Sequence, residues 1–419
     1  MENMKGTHIT NRAKKWLAIG FTAVIASSVF YIPTVAAHGE KAQAAFLRMR
    51  TIHWYDMVWS KDTIAVNETY TISGKFRVFE DWPEAVEVPH VSFLNAGQPG
   101  PVTTRLTSYI NGMFVPRSIG LELGGDYEFE MTMQGRRPGT WHVHTLLNVQ
   151  GGGPLIGPGK YITITGDMAD FENKVTDLTG NTVNLETMAT GTVIGWHLFW
   201  YVLGIAWIVW WARRPMFLPR YMRVEAGEAN DLVTAQDKKV TIGVLVGVLL
   251  IVLFGYKSAE EKFPVTIPLQ AGLLGTIEPL PVDYNSMVSA KVLKANYRVP
   301  GRTITMTVEL TNHTDQVLSI GEFNTGGIRF MNANVRSDDT GYPEELLAPE
   351  GLEMSQQDIA PGETVVVDIS ATDAAWEVQR MADVIYDPDS RFAGLIFFID
   401  PEGNEIPIPV GGPLVPTFV

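Results

Sequence analysis

VIGWHLFWYVLGIAWIVWW, residues 193–211, is a run of 19 residues that has no formal charge and has tryptophans towards both ends. A helix of about 20 apolar residues crosses the hydrocarbon core of a bilayer, and tryptophans collect at its two interfaces. A second uncharged run of 17 residues, VTIGVLVGVLLIVLFGY, occupies positions 240–256 and is flanked by Lys238, Lys239 and Lys257. The sequence therefore predicts two transmembrane helices in the middle of the chain.

The loop between these two runs is rich in basic residues. It contains Arg213, Arg214, Arg220, Arg223, Lys238 and Lys239. Short loops with such an excess of arginine and lysine remain in the cytoplasm. Both long segments that flank the helical hairpin are therefore predicted to lie on the exported side of the membrane.

The N-terminal region has the layout of a secretory signal peptide. Four basic residues precede an apolar stretch at positions 16–31, and Val35 and Ala37 supply the small residues expected before a cleavage point. Cleavage there would remove residues 1–37 and make His38 the first residue of the mature chain. A retained transmembrane helix is the weaker alternative, because the apolar stretch has only 16 residues and a spanning helix needs about 20.

The composition limits the chemistry that the chain can perform. The chain has 46 acidic and 32 basic residues, and the acidic ones are scattered among apolar residues, which argues against nucleic acid as a partner. It has no cysteine, which excludes disulfides, thiolate metal sites, iron–sulfur clusters and thiol nucleophiles. Any metal must therefore be bound by histidine, methionine, carboxylate or backbone groups.

Both segments that flank the hairpin show the alternation of β-strands. Apolar and polar residues alternate at 127–133 and again at 303–310, and a further β-rich stretch at 364–369 follows a Pro361-Gly362 turn. Another β-rich run, at 66–78, is expected to break at Gly74. The pattern predicts a mainly β chain with two β-sandwiches joined by a two-helix transmembrane hairpin. The predicted boundaries are 1–37 for the signal peptide, 38–190 and 258–419 for the two β domains, and 191–257 for the hairpin.

Two histidines are separated by one residue in the segment GTWHVHT, residues 139–145. Residues two apart on a strand point to the same face, so His142 and His144 can bind one ion. An isolated pair of this kind can equally be structural, with both rings hydrogen-bonded to backbone carbonyls. A mature N-terminus at His38 shifts the balance towards metal, because that residue would offer its imidazole and its α-amine together. Nitrogen donors without thiolates favour copper over zinc.

The other five histidines lie in different sequence environments. His8 leaves with the signal peptide, and His90 and His313 lie in polar loops. His197 lies within the first apolar run, where an ionisable group usually faces protein, and we interpret it as a contact between subunits. His53 is either a ligand of a second metal site or a packed structural histidine.

Several segments of the chain resemble the B subunits of the particulate methane and ammonia monooxygenases. They are HGEK at 38–41, FLRMRTIHWYD at 46–56, GTWHVH at 139–144, NVQGGGP at 148–154 and DPDSRFAGL at 387–395. The resemblance extends from the predicted mature N-terminus to near the C-terminus, so it covers essentially the whole exported chain. The combination of segments is highly specific to this family.

The resemblance implies two cupredoxin-like domains in a bacterial, intracytoplasmic membrane, with the soluble domains on its periplasmic or lumenal side. It also implies assembly with the membrane subunits A and C as a trimer of heterotrimers. The copper site that the family has in its B subunit matches His38, His142 and His144. Some members have a second copper site made of two histidines, one of which matches His53 and the other Arg77. A guanidinium cannot bind a metal, so we expect that second site to be absent or altered and His53 to be structural.

The activity implied by the resemblance is insertion of one oxygen atom from O₂ into a C–H or N–H bond, which gives methanol or hydroxylamine. We expect a copper-dependent monooxygenase subunit acting on methane, because the HVH and NVQGGGP segments are closer to the methane enzymes. The ammonia enzyme is the nearest alternative, and a membrane-tethered copper-binding or delivery module without turnover is the alternative from another class. No residue of this chain is assigned to the chemical step, since copper in a membrane partner, the C subunit, is a competing place for it.

Overall fold

The computed structural model of the chain describes residues 43–264, 272–299, 301–335, 341–387 and 389–418. The predicted signal peptide, residues 1–37, and the predicted ligand His38 lie outside the described residues. The described part contains two β-sandwiches and two long apolar helices. This confirms the mainly β fold class, whereas the domain boundaries given above stay predictions.

The first sandwich begins directly after a short helix, α1 (Ala45–Arg50). Its strands are β1 (Ile52–Trp59), β2 (Thr63–Ala65), β3 (Thr69–Val78), β4 (Ser92–Gly97), β5 (Thr103–Ile110), β6 (Met113–Phe114), β7 (Asp126–Gly135), β8 (Gly139–Val149) and β9 (Gly153–Thr165). They form one sheet in the order β1-β3-β7-β5-β6 and a second in the order β2-β9-β8-β4. On β7 the apolar set Tyr127, Phe129, Met131 and Met133 is buried, as the alternation predicts.

The strand β3 runs without interruption through Gly74, where a break was expected. A Cβ atom at Gly74 would lie 2.8 Å from Met57 Sδ of the neighbouring strand β1. The glycine therefore makes room for a side chain at the bulge in β1 between Tyr55 and Val58, and it does not end the strand.

Two long helices follow the first sandwich and a small hairpin of β10 (Lys174–Thr176) and β11 (Thr182–Asn184). They are α2 (Thr190–Ala212) and α4 (Ala235–Lys262), with the short α3 (Leu218–Glu225) between them. The long helices have 23 and 28 residues and are apolar enough to cross a membrane. Both extend beyond the predicted apolar runs, and the first turn of α4 is capped by the side chain of Thr234.

One carboxylate joins the end of α2 to the start of α4. Asp237 forms a capping box with Thr234 at the first turn of α4. It also accepts hydrogen bonds from Trp210 Nε1 at 3.2 Å and from Arg214 Nη2 at 2.8 Å. The Asp237 side chain is completely buried, so these contacts fix the turn between the two helices.

The second sandwich contains the remaining strands and the short helix α5 (Ala375–Val378). The strands are β12 (Val288–Val299), β13 (Thr303–Asn312), β14 (Leu318–Thr325), β15 (Ile328–Met331), β16 (Leu347–Ala348), β17 (Leu352–Met354), β18 (Asp358–Ile359), β19 (Thr364–Thr372), β20 (Arg391–Ile399), β21 (Glu405–Pro413) and β22 (Val415–Phe418). The sheet orders are β17-β19-β13-β12-β22 and β16-β15-β14-β20-β21, and β18 pairs with β14. The predicted strands at 303–310 and 364–369 are confirmed as the neighbours β13 and β19.

The helix α1 carries two buried arginines that reach from the first sandwich to the second. Arg48 donates from Nη1 to Gln379 O at 3.0 Å and from Nη2 to Gly326 O at 2.5 Å. Arg50 donates from Nη1 to Asp389 Oδ2 at 2.9 Å. Since buried carbonyls without a donor are costly, Arg48 holds the two sandwiches in one arrangement.

We expect Arg48→Met to destabilise the protein by about 2 kcal/mol, because it leaves two buried carbonyls without their charged donor. The measurement is the thermal unfolding of the purified membrane complex, with limited proteolysis between the sandwiches as a second readout. The matched control is Arg302→Met, which breaks an exposed ion pair with Glu377 and should cost less than about 1 kcal/mol. Equal effects of the two variants would contradict the role given to Arg48.

Candidate metal centre

The strand β8 places two imidazoles side by side inside the molecule. The rings of His142 and His144 have centroids 4.3 Å apart and lie nearly perpendicular to one another. Both side chains are buried, with exposed fractions of 7% and 4%. The spacing of one residue along the strand therefore brings the two rings close enough to bind a single ion.

Backbone carbonyls of the neighbouring strand β9 select the tautomer of both rings. His142 Nε2 lies 3.0 Å from Gly159 O, and His144 Nδ1 lies 3.2 Å from Gly157 O. A carbonyl oxygen only accepts hydrogen bonds, so these two nitrogens carry the ring protons. The lone pairs are then on His142 Nδ1 and His144 Nε2. Histidines that bind metals usually donate their other ring N–H to a carbonyl or carboxylate in this way, so the pair fits a metal ion.

Two glycines on β9 make room for side chains of neighbouring strands, and one of these side chains is the His144 ring. A Cβ atom at Gly159 would overlap the His144 ring and would lie 2.7 Å from its Cγ and Cε1 atoms. A Cβ atom at Gly157 would likewise lie 2.6 Å from Trp54 Nε1. The backbone of β9 can therefore approach His144 closely because Gly159 lacks a side chain, and it can approach Trp54 closely because Gly157 lacks one.

Groups from both sandwiches surround His142. Tyr161, its partner on β9, has its ring centroid 4.5 Å away and is half exposed. Glu345 of the second sandwich places Oε1 3.6 Å from His142 Nε2. No local sequence pattern points to this carboxylate, because it lies in the second sandwich and His142 lies on a strand of the first.

The structure describes two of the three predicted ligands. His142 and His144 are placed as above, while His38 lies outside the described residues. Within the described ranges, no group of three histidine, aspartate or glutamate side chains is arranged to hold a metal ion. The three-ligand set therefore stays a prediction.

His53 and Arg77 lie directly opposite each other on the paired strands β1 and β3. Arg77 forms a buried ion pair with Asp126 of β7, to which Tyr55 also donates at 3.2 Å. His53 Nε2 donates to Met49 O, and its ring packs on Phe79 at 4.5 Å. These are the contacts of a packed histidine beside a guanidinium–carboxylate pair.

Three other histidines make local contacts at other places in the fold. His90 is exposed in the loop before β4. His197 Nδ1 donates to Val193 O at 2.8 Å within α2. His313 Nε2 lies 3.0 Å from Ser289 Oγ on the exposed surface of the second sandwich.

Comparison with known proteins matches residues 39–418 to a family model that describes the B-subunit protein of a monooxygenase. The chain is 53% identical over 412 residues to the particulate methane monooxygenase alpha subunit of Methylococcus capsulatus, covering 98% of this chain and 99% of that relative. Among solved structures, the cupredoxin domain of amoB from Nitrosocaldus yellowstonii is 15% identical and matches 32% of this chain and 98% of its own length, with a TM-score of 0.24. This TM-score is too low to support the fold, which is defined by the strand order.

We expect Gly159→Ala to lower the amount of Cu(II) that the purified complex retains, because the new methyl group would displace the His144 ring. The measurement is copper per chain by elemental analysis after dialysis against a weak chelator. Gly97→Ala is the matched control, since Gly97 pairs with His144 from the other side and its Cβ would make an ordinary 3.5 Å contact with His144 Cβ. Equal copper retention in both variants would show that the space at Gly159 does not matter.

Burial lowers the pKa of His53 from 6.5 to about 4, an effect to which the nearby Arg77 cation adds. The unfolded chain therefore binds a proton between pH 6.5 and about pH 4 that the folded chain does not bind, so stability falls as the pH drops through this window. At pH 5 the loss attributable to His53 is about 2 kcal/mol relative to pH 7.5. We expect His53→Gln, which keeps a donor but does not titrate, to show a smaller fall in unfolding temperature between these pH values. Identical pH dependence in the wild type and the variant would contradict this assignment.

Proposed function

The chain belongs to the family of monooxygenase B subunits, and on that premise we propose that it is the copper-binding subunit of a membrane-bound particulate methane monooxygenase. Such a complex oxidises methane to methanol with O₂. Methane is favoured over ammonia because the relative that is 53% identical across 98% of this chain is named as a methane enzyme.

The observation that carries the proposal is the histidine pair on β8. His142 Nδ1 and His144 Nε2 hold their lone pairs because Gly159 O and Gly157 O accept the opposite ring protons. The chain has no cysteine, so the donor set is nitrogen-rich and free of thiolate, which favours copper in the affinity order of divalent metals. When bound, copper would supply one-electron redox chemistry at this position.

The proposed third ligand is His38, through its imidazole and through the α-amine that signal-peptide cleavage would create. The described residue closest in sequence supports this placement. Gln43 donates from Nε2 to Pro154 O at 2.7 Å, and its Oε1 accepts from Ile156 N at 3.1 Å. Five residues span at most about 18 Å, and Ile156 is three residues from Gly159 on the same strand, or about 10 Å. His38 is therefore within reach of the histidine pair.

The two long helices support a membrane-embedded assembly. Every residue of α2 between Thr190 and Ala212 is exposed or half-buried in the isolated chain, including several tryptophans. Apolar surface of this extent requires lipid or partner helices to cover it. We propose that membrane subunits A and C supply part of that cover in a trimer of heterotrimers.

The basic loop between the helices supports the proposed orientation. Arg213 and Arg214 follow α2, and Arg220 and Arg223 lie on α3. Such a loop remains in the cytoplasm, so both sandwiches and the histidine pair would face the periplasm or the lumen of intracytoplasmic membranes.

The chain's own part in this function is to hold and orient the metal. The carbonyls of Gly157 and Gly159 hold the two imidazoles in fixed orientations, and burial of both rings keeps water from competing for them.

The test is copper content, EPR and turnover of methane and ammonia by the purified complex, for the wild type, His142→Ala and the control His90→Ala. We expect His142→Ala to lose a nitrogen-ligated copper signal while the complex stays assembled, and His90→Ala to retain it, because His90 is an exposed loop residue. N-terminal sequencing should show a mature chain that begins at His38. Methane turnover that falls with the copper would place this site in the reaction, whereas unchanged turnover would place the oxidation chemistry in a partner subunit.

Three results would overturn the proposal. Unchanged copper in His142→Ala would remove the metal site from this chain. Turnover of ammonia in place of methane would identify the ammonia enzyme. A protein that purifies alone with copper and without turnover would be a binding or delivery module.

A further inference from the structure

A carboxylate from the second sandwich lies beside the proposed copper ligands of the first. Glu345 Oε1 is 3.6 Å from His142 Nε2, and the Glu345 side chain is 39% exposed. Glu345 is the middle residue of a single 3₁₀ turn, Glu344–Leu346. It is therefore a charged group that reaches the histidine pair only through the docking of the two sandwiches.

Contacts on both sides of this turn fix its position. Leu346 is completely buried, and Ala348 pairs with Phe330 on β15. On the other side, Tyr342 donates from its hydroxyl to Gly327 O at 2.8 Å. The backbone that carries Glu345 is thus held to the second sandwich.

The same turn contacts the part of β9 that orients the histidines. Leu346 lines a small void at the junction of the sandwiches together with Gly157, Pro158 and Gly327. The position that a Cβ would take at Gly327 is 4.0 Å from Pro158 Cγ. Since Gly157 supplies the carbonyl that binds His144, the two sandwiches meet at the metal centre itself.

The two oxygen atoms near His142 Nε2 have different roles because they lie at different distances from it. The Gly159 carbonyl, at 3.0 Å, accepts the hydrogen bond and sets the orientation of the ring. The Glu345 oxygen, at 3.6 Å, is too far away for a second hydrogen bond, so Glu345 acts through its charge. A negative charge on the N–H side of an imidazole makes the lone pair on the opposite nitrogen a stronger donor and offsets the charge of a bound cation.

We propose that Glu345 strengthens copper binding at His142 and His144 through its charge, without binding the metal itself. Because Glu345 belongs to the second sandwich, the copper affinity then depends on the docking of that sandwich. This inference rests on the proposed function of the histidine pair. Loss of groups that orient metal ligands typically costs about 10- to 100-fold in affinity. The partial exposure of Glu345 places the expected effect near the low end, at about 10-fold, because solvent screens the charge.

The experiment is competition for Cu(II) between a chelator of known affinity and the purified complex carrying Glu345→Gln. This variant keeps the size of the side chain and removes its charge. We expect about 10-fold weaker copper binding, with a difference from the wild type that shrinks as the salt concentration rises. Glu345→Asp, which keeps the charge on a shorter side chain, should fall between the two.

The matched control is Glu344→Gln, which removes the same charge from the neighbouring side chain of the same turn and should leave copper affinity unchanged. The unfolding temperature of the copper-free complex should be the same for all of these variants, because Glu345 acts on the bound ion. Equal loss of affinity in Glu344→Gln, or a lower unfolding temperature of copper-free Glu345→Gln, would overturn the inference in favour of a general charge effect or a structural role.

The two proposals fail in different ways in this experiment. If His142→Ala loses copper while Glu345→Gln binds it as the wild type does, the role of Glu345 is wrong and the metal site stands. If His142→Ala also retains copper, the metal site itself is wrong.

Discussion

The buried guanidinium of Arg48 donates hydrogen bonds to two carbonyls of the second sandwich, Gln379 O and Gly326 O, from the short helix α1 that precedes the first. These bonds help to fix how the sandwiches meet, because each carbonyl would otherwise be buried without a donor. The Gly326-Gly327 turn is thereby held against β9 at Pro158. The arrangement of the histidine pair and of Glu345 depends on this junction.

At the candidate metal centre, the backbone controls the chemistry of the side chains. The imidazoles of His142 and His144 have their protons directed by the carbonyls of Gly159 and Gly157. Gly159 also allows the strand to approach His144, since a methyl group there would overlap the ring. One short piece of β9 therefore decides the space around the rings and the nitrogen that each can offer to a metal.

The pairing of His53 with Arg77 shows how a single residue changes local chemistry. Arg77 stands opposite His53 and forms a buried ion pair with Asp126. A permanent cation beside the imidazole disfavours another positive charge, which is why it adds to the lowering of the His53 pKa. The same sandwich thus has a neutral, tightly packed histidine within β1 and a metal-suited pair on β8.

The sequence by itself determined the features that depend on local patterns. The apolar runs at 193–211 and 240–256 predicted the two long helices, and the alternation at 127–133 predicted the buried face of β7, because both follow from the repeat of a helix or a strand. The spacing of His142 and His144 likewise predicted that their rings share a face. Only the tertiary structure decided which carbonyls the rings meet and that Glu345 stands beside His142. Those contacts join residues that are far apart in the chain. They depend on how the two sandwiches pack against each other at Arg48, and a periodic sequence pattern does not predict that packing.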